Sequence, residues 1–173
     1  MELMPLMQPS SLPFSAALEK QREEYVEMLR AGHLPSDRLP AVARSVEEAV
    51  LARAWEHVGR PGNGSRLYVL SVMGTHPRVK VGQGDARGRI ARHRNEYHVN
   101  GHGLVDAWIS VPLASARMAE RALLAIAKWN SSPPGYRREE YPNADFGEFR
   151  EAARFTVLQL KQENYDLHNA ERS

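Results

Sequence analysis

Residues 66–97 of this chain read RLYVLSVMGTHPRVKVGQGDARGRIARHRNEY, in which two strand-like segments are followed by a basic helical one. Residues 67–73 are rich in β-branched and aromatic side chains, and residues 78–82 alternate polar with apolar ones, which is typical of strands. The Gly-Thr-His-Pro between them predicts an antiparallel hairpin. A glycine-containing turn then leads into a short basic helix, predicted at about residues 87–97. This stretch therefore predicts a two-stranded hairpin followed directly by a helix.

Downstream of that helix, the sequence predicts one more strand and two more helices. Residues 104–111 are typical of a strand, and residues 115–129 carry an apolar stripe at helical spacing. Asp145 is expected to cap the last helix. The predicted fold class is thus α+β, with a three-stranded antiparallel sheet flanked by helices.

Upstream, residues 1–60 are predicted to form an irregular arm and two helices, which begin at Ser15 and at Ser45, the latter in a capping box. Residues 60–65 read RPGNGS, which is typical of a linker and predicts a boundary before a second domain of residues 61–173. The apolar stripes of the two helices allow a homodimer or further DNA contacts.

The composition excludes several classes of protein. Apolar residues make up 42% and charged residues 25% of the chain, an ordinary globular balance. The absence of cysteine excludes disulfides and thiolate zinc sites and fits a cytoplasmic protein. The longest purely apolar run, residues 122–127, is far shorter than the roughly 20 residues that a membrane-spanning helix needs. We therefore expect a cytoplasmic protein with no membrane partner.

Positive charge is concentrated in the second part of the chain. Residues 1–60 carry a net charge of −2 (7 Lys/Arg, 9 Asp/Glu), whereas residues 61–173 carry +4 (16 Lys/Arg, 12 Asp/Glu). Residues 76–102 alone hold six Lys/Arg against two Asp/Glu. Such an excess predicts a polyanionic partner, because Lys and Arg on phosphates displace condensed counterions. The alternative is a solvated basic face.

Three histidines, His93, His98 and His102, lie close together in the sequence. Asn100-Gly101 interrupts the helix that would bring the last two onto one face. They are therefore predicted to be solvated side chains and not a metal cluster.

One set of residues points to a specific chemistry by its order. Tyr68 lies in the first strand, Lys80-Val81-Gly82 ends the second, and Arg89 and His93 lie one turn apart on the following helix. Glu120 lies in the helix after the third strand. Singly, each residue is more typical of a core or solvated position, but their joint order resembles the GIY-YIG endonuclease superfamily.

The resemblance covers about residues 65–160 and includes departures from the family pattern. The first triplet, residues 66–68, keeps only the tyrosine, and the second, residues 80–82, has lysine where the family name has tyrosine. A branch that includes restriction enzymes and phage-type proteins is similar in having that lysine. The resemblance implies a DNA endonuclease that uses Mg²⁺ or Mn²⁺, with the metal held by one glutamate.

The residue types suit the hydrolysis of a phosphodiester. Glu120 is expected to hold the metal ion, which polarises a phosphate oxygen and the leaving group. Arg89 is expected to offer its guanidinium fork to the scissile phosphate, and His93 to contact a phosphate or assist proton transfer. The base is either Tyr68, whose pKa Lys80 across the hairpin would depress, or Lys80 itself. The sequence leaves these two alternatives open.

Further contacts to nucleic acid are expected from the remaining basic residues of the hairpin and helix, namely Arg78, Arg87, Arg92 and Arg94. Two other functions remain open. The chain could be a catalytically inactive nucleic-acid-binding module of the same fold, or a regulatory or assembly protein that acts through its N-terminal helices.

Overall fold

A computed structural model describes residues 14–58, 64–130 and 139–170 of the chain. In chain order the elements are α1 (Ala16–Ala31), α2 (Leu39–Val58), β1 (Arg66–Met73), β2 (Pro77–Gly84), α3 (Ala86–Val99), β3 (Gly103–Ile109), α4 (Ala116–Asn130), β4 (Glu140–Pro142) and α5 (Phe146–Ala170). The predicted hairpin, the helix after it and the third strand are all confirmed.

The sheet has four strands in the order β3-β1-β2-β4, and every neighbouring pair is antiparallel. The α+β class with flanking helices is therefore confirmed, but the predicted count of three strands is wrong. The missed strand β4 has only three residues and ends in Pro142. A segment this short carries no alternation, and proline is tolerated because β4 lies at the sheet edge.

Helices cover both faces of the sheet, so the strands are buried almost throughout. Along β1, Tyr68 and Leu70 point to the face covered by α1, α2 and α3. Leu67 and Val69 point to the opposite face, which α4 and α5 cover. Among the described residues, no helix is both long enough and apolar enough to cross a membrane.

Of the caps predicted for the two N-terminal helices, one is confirmed and the other is wrong. Ser15 caps α1 as predicted, and its hydroxyl accepts a hydrogen bond from the backbone of the first turn. The predicted capping box at Ser45 is wrong, because α2 already begins at Leu39. Pro40 lies in the first turn, where its fixed φ and missing N–H are compatible with a helix. Pro40, which by itself is typical of a loop, therefore belongs to the helix.

The apolar stripes of α1 and α2 are buried inside the molecule. Leu29, Val46 and Val50 are almost fully buried in one hydrophobic cluster with side chains of β1, α3 and β3. Because these stripes pack against the sheet, they do not support the predicted homodimer. Most of the predicted linker lies outside the described residues.

A fully buried carboxylate, Glu47, connects α2 to three other elements. It accepts hydrogen bonds from Tyr25 Oη at 2.9 Å, Arg94 Nε at 2.7 Å, His98 Nε2 at 2.9 Å and the backbone N–H of Leu104 at 2.8 Å. Burial by itself would raise the pKa of Glu47, but the bonds from His98 and Arg94 hold that pKa below its ordinary value. The position of α3 is therefore fixed by the N-terminal helices.

The histidines are more buried than the sequence indicated. His93 and His98 are buried, so the prediction that they are solvated is wrong for both. Asn100 ends the helix as expected. His93 and His98 are nevertheless buried, because they lie on the part of the helix that precedes Asn100 and packs against the rest of the protein.

Candidate active site

One cavity of about 410 Å³ collects side chains from β1, β2, α3 and α4 and from the residue before β4. Its lining consists of Tyr68, Lys80, Gly82, Arg89, Arg92, His93, Glu96, Glu120 and Glu139. All five residues predicted from the sequence as catalytic thus lie around the same space. Three cationic side chains face three carboxylates there, with one imidazole and one phenol between them.

Two glycines of β2 make room for the side chains of this cavity. Gly82 lies directly opposite Tyr68 in the hairpin, and a Cβ at this position would overlap the Tyr68 phenol ring. Gly84 has φ +116°, and a Cβ there would lie 2.7 Å from Nε of Arg89. Glycine in the Lys-Val-Gly triplet is therefore explained by the space that the tyrosine ring occupies.

Tyr68 is almost fully buried, and its Oη lies 3.1 Å from Nε2 of His93. Burial raises the pKa of Tyr68 to about 12, although the charge of Arg89 acts in the opposite direction. The prediction that Lys80 depresses this pKa is wrong. Lys80 lies opposite Leu70 and forms an ion pair with a carboxylate, so desolvation dominates at the phenol.

His93 lies between Tyr68, to which it is hydrogen-bonded, and a carboxylate on the same helix that is too far away for a hydrogen bond. Burial, and next the charge of Lys80, lower the pKa of His93 below its ordinary value, so the imidazole is neutral near neutral pH. Its Nδ1 lies 3.9 Å from the carboxylate of Glu96, while Nε2 meets the phenol. We assign the neutral tautomer with the proton on Nδ1, because Nε2 then accepts from the Tyr68 hydroxyl.

Lys80 forms an ion pair with Glu139 inside the cavity. The lysine side chain is only 5% exposed, whereas that of Glu139 is 46% exposed. The backbone carbonyl of Glu139 accepts a hydrogen bond from the N–H of Val81 at 2.9 Å, next to the three paired residues of β4. The pairing of this short edge segment with β2 thus brings Glu139 to Lys80.

Arg89 and Arg92 lie on α3 and are exposed at the cavity. Because neither side chain is buried, both guanidinium groups are accessible to an anion from solvent. A guanidinium offers a planar pair of donors, which matches two oxygens of a phosphate. The cavity thus has a buried ammonium and two accessible guanidinium groups.

Glu120 contributes a half-buried carboxylate. Burial, and next the charge of Glu139, raise the pKa of Glu120. Within the described ranges no Lys, Arg or His nitrogen forms an ion pair with Glu120. A carboxylate without a cationic partner fits a divalent cation, and Mg²⁺ is commonly held by one or two carboxylates together with water and substrate phosphates. No group of three or more possible metal-binding side chains occurs in the part of the chain that the structure describes.

The other predicted nucleic-acid-binding residues differ in position. Arg92 lines the cavity, and Arg87 is exposed at the start of α3. Arg78 is half-buried, pairs with Glu140 at 3.5 Å and hydrogen-bonds to the His102 ring, outside the cavity. Arg94 donates to the buried Glu47, as described above. Arg78 and Arg94 therefore have partners within the fold.

Two lining carboxylates, Glu96 and Glu139, were not singled out in the sequence. Glu96 could have been found, because it lies three residues after His93 and hence on the same helical face. Glu139 gives no such signal, since its position depends on the pairing of β4 with β2.

Comparison of the chain with protein-family models, with curated proteins and with solved structures finds no match.

Proposed function

We propose that this protein is a divalent-metal-dependent DNA endonuclease that hydrolyses phosphodiester bonds. The observation that carries the proposal is the shared cavity of Tyr68, Lys80, Arg89, His93 and Glu120. This hydrolysis requires activation of a water molecule and positive charge on the oxygens of the transition state. The five side chains supply groups of these kinds from four different elements.

The contact between Tyr68 and His93 supports Tyr68 as the residue that activates water. With a pKa of about 12, the phenol is neutral at physiological pH and needs a base of its own. Neutral His93 is positioned to accept the Tyr68 proton at Nε2 while the phenol oxygen takes a proton from the attacking water. Glu96, on the Nδ1 side, would stabilise the imidazolium that forms.

The cations of the cavity would act on the phosphate. Lys80 in its ion pair is an ammonium, which donates hydrogen bonds and cannot accept a proton. The lysine is therefore assigned to phosphate binding and not to the role of base. Arg89, which is exposed in the same cavity, would stabilise the charge that develops on the phosphate oxygens.

Glu120 is the residue that would hold the metal ion. When bound, a divalent ion supplies polarisation of a phosphate oxygen and charge stabilisation of the leaving group. The half-buried position of this carboxylate, which forms no ion pair among the described residues, supports this role. Its replacement by glutamine keeps the shape of the side chain and removes the charge.

A nicking assay on supercoiled plasmid with Mg²⁺ or Mn²⁺ tests the proposal. We expect nicking by the wild-type protein and none by Glu120→Gln, whereas both proteins retard DNA in a gel at low salt. Glu48→Gln, at an exposed position of α2, is the matched control and should cleave normally. Retardation without nicking by the wild-type protein would favour the inactive binding module. Neither effect would favour an assembly protein.

A further inference from the structure

An anionic side chain of the protein itself occupies the cavity at Lys80. The Lys80 side chain is 5% exposed, so its ammonium has little access to bulk water and needs an anionic partner. Glu139 provides that partner from a position at which its own side chain is 46% exposed. The ion pair thus joins a buried cation to an anion that reaches in from the solvent side.

A carboxylate and a phosphate present the same kind of acceptor to an ammonium, namely anionic oxygens at hydrogen-bond distance. The exposed guanidinium groups of Arg89 and Arg92 line the same cavity as this ion pair. We propose that the Glu139 carboxylate stands in the phosphate subsite of the cavity, and that a phosphodiester binds by replacing Glu139 at Lys80. The identification of that phosphodiester as DNA rests on the proposed function, whereas the anion subsite does not.

The structure permits this replacement without unfolding of the edge strand. The backbone of Glu139 is held to β2 by the hydrogen bond from Val81 N–H at 2.9 Å. Only the half-exposed side chain needs to rotate into water, where a carboxylate is well solvated. Lys80 remains in place, because β2 lies between β1 and β4 in the sheet.

The neighbouring residue Glu140 offers a matched control. Glu140 also forms an ion pair from β4 to β2, with Arg78 at 3.5 Å, but it does not line the cavity. Glu139→Gln and Glu140→Gln therefore each remove one negative charge and one ion pair to β2, at two adjacent positions of the chain. A difference between the two variants reports on the subsite and not on net charge or strand pairing.

The test measures binding of two probes without divalent metal, so that no cleavage occurs. Inorganic phosphate is titrated by NMR, with the backbone amides of Val81 and Gly82 as reporters, and a short DNA duplex is titrated by fluorescence anisotropy. We expect Glu139→Gln to bind both probes about fivefold more tightly than the wild type, as expected for removal of a competing ion pair with one half-exposed partner. Glu140→Gln should stay within about twofold of the wild type. The gain should disappear when Glu139→Gln is combined with Lys80→Met.

Each other outcome has a defined meaning, provided that circular dichroism shows all variants to be folded. Unchanged or weaker phosphate binding by Glu139→Gln would overturn the inference, as would an equal gain in Glu140→Gln or a gain that persists without Lys80. A gain for phosphate in a protein that binds no duplex would uphold the subsite and overturn the proposed nuclease function. If the wild-type protein cleaves DNA but Glu139→Gln binds phosphate no more tightly, the proposed nuclease function would be upheld and the subsite overturned.

Discussion

Replacement of Glu47 by alanine should destabilise the whole fold. Three of its donors, Tyr25 Oη, His98 Nε2 and the Leu104 N–H, are buried and would lose their acceptor. A buried donor without a partner costs about 1–3 kcal/mol, whereas Arg94, with 22% of its side chain exposed, can turn to water. Because water entering the vacated space would satisfy part of this loss, we expect a net cost of about 3–5 kcal/mol.

Urea unfolding followed by circular dichroism measures this cost. The expected loss is a large part of the total stability of a domain, which is typically about 5–15 kcal/mol. Glu48→Ala, at the next and exposed position, is the control and should stay within about 0.5 kcal/mol of the wild type. A loss of less than about 1 kcal/mol for Glu47→Ala would refute the view that this carboxylate fixes α3.

The same residue predicts how the wild-type protein responds to acid. The folded-state pKa of Glu47 lies below its ordinary value of 4.5, so its contribution to stability is present at neutral pH. That contribution is lost as the pH falls below the ordinary value and through the folded-state pKa. The Glu47→Ala variant should lack this part of the acid sensitivity, which urea unfolding at a series of pH values would detect.

Three further predictions concern the cavity. Arg89→Ala should lower the single-turnover rate of plasmid nicking by about 10²-fold or more, the scale for loss of one transition-state donor, and a near-native rate would place the scissile phosphate elsewhere. The nicking rate should fall on acidification as His93 becomes protonated, with a midpoint below the ordinary histidine pKa of 6.5, because burial lowers the pKa of His93. A midpoint above 6.5 would contradict the assignment of His93 as the proton acceptor. Gly82→Ala should displace the Tyr68 ring, which lowers the free energy of unfolding in urea by about 1–3 kcal/mol and abolishes nicking. Unchanged Tyr68 ring signals in NMR spectra would disprove the steric argument.

Much of the fold could be predicted because the signals are local. The alternation in β2 and the Gly-Thr-His-Pro turn predicted the hairpin, and Ser15 predicted the start of α1. The errors arose at segments whose secondary structure is determined by tertiary packing. Pro40 indicates a loop in isolation but fits the first turn of α2, and β4 exists only because β2 offers it an unpaired edge.

The candidate site divides in the same way. Residue types in chain order, together with the family resemblance, predicted five residues that the fold places around one cavity. The sequence could not predict the ionic environment of those residues. The pKa of Tyr68 is governed by burial, which depends on helices from the other end of the chain, and Lys80 has a partner 59 positions away.

Glu47 and the hydrophobic cluster around it also bear on any dissection of this protein into halves. A fragment that starts at residue 61 would lose α1 and α2, two of the three helices that cover one side of the sheet, together with the acceptor for Arg94 and His98. The apolar side chains of that side would then face water, and such a surface promotes aggregation. We therefore expect the fragment of residues 61–173 to be less stable and more prone to aggregation than the whole chain, and the helices that precede the hairpin should be kept in the protein that is purified.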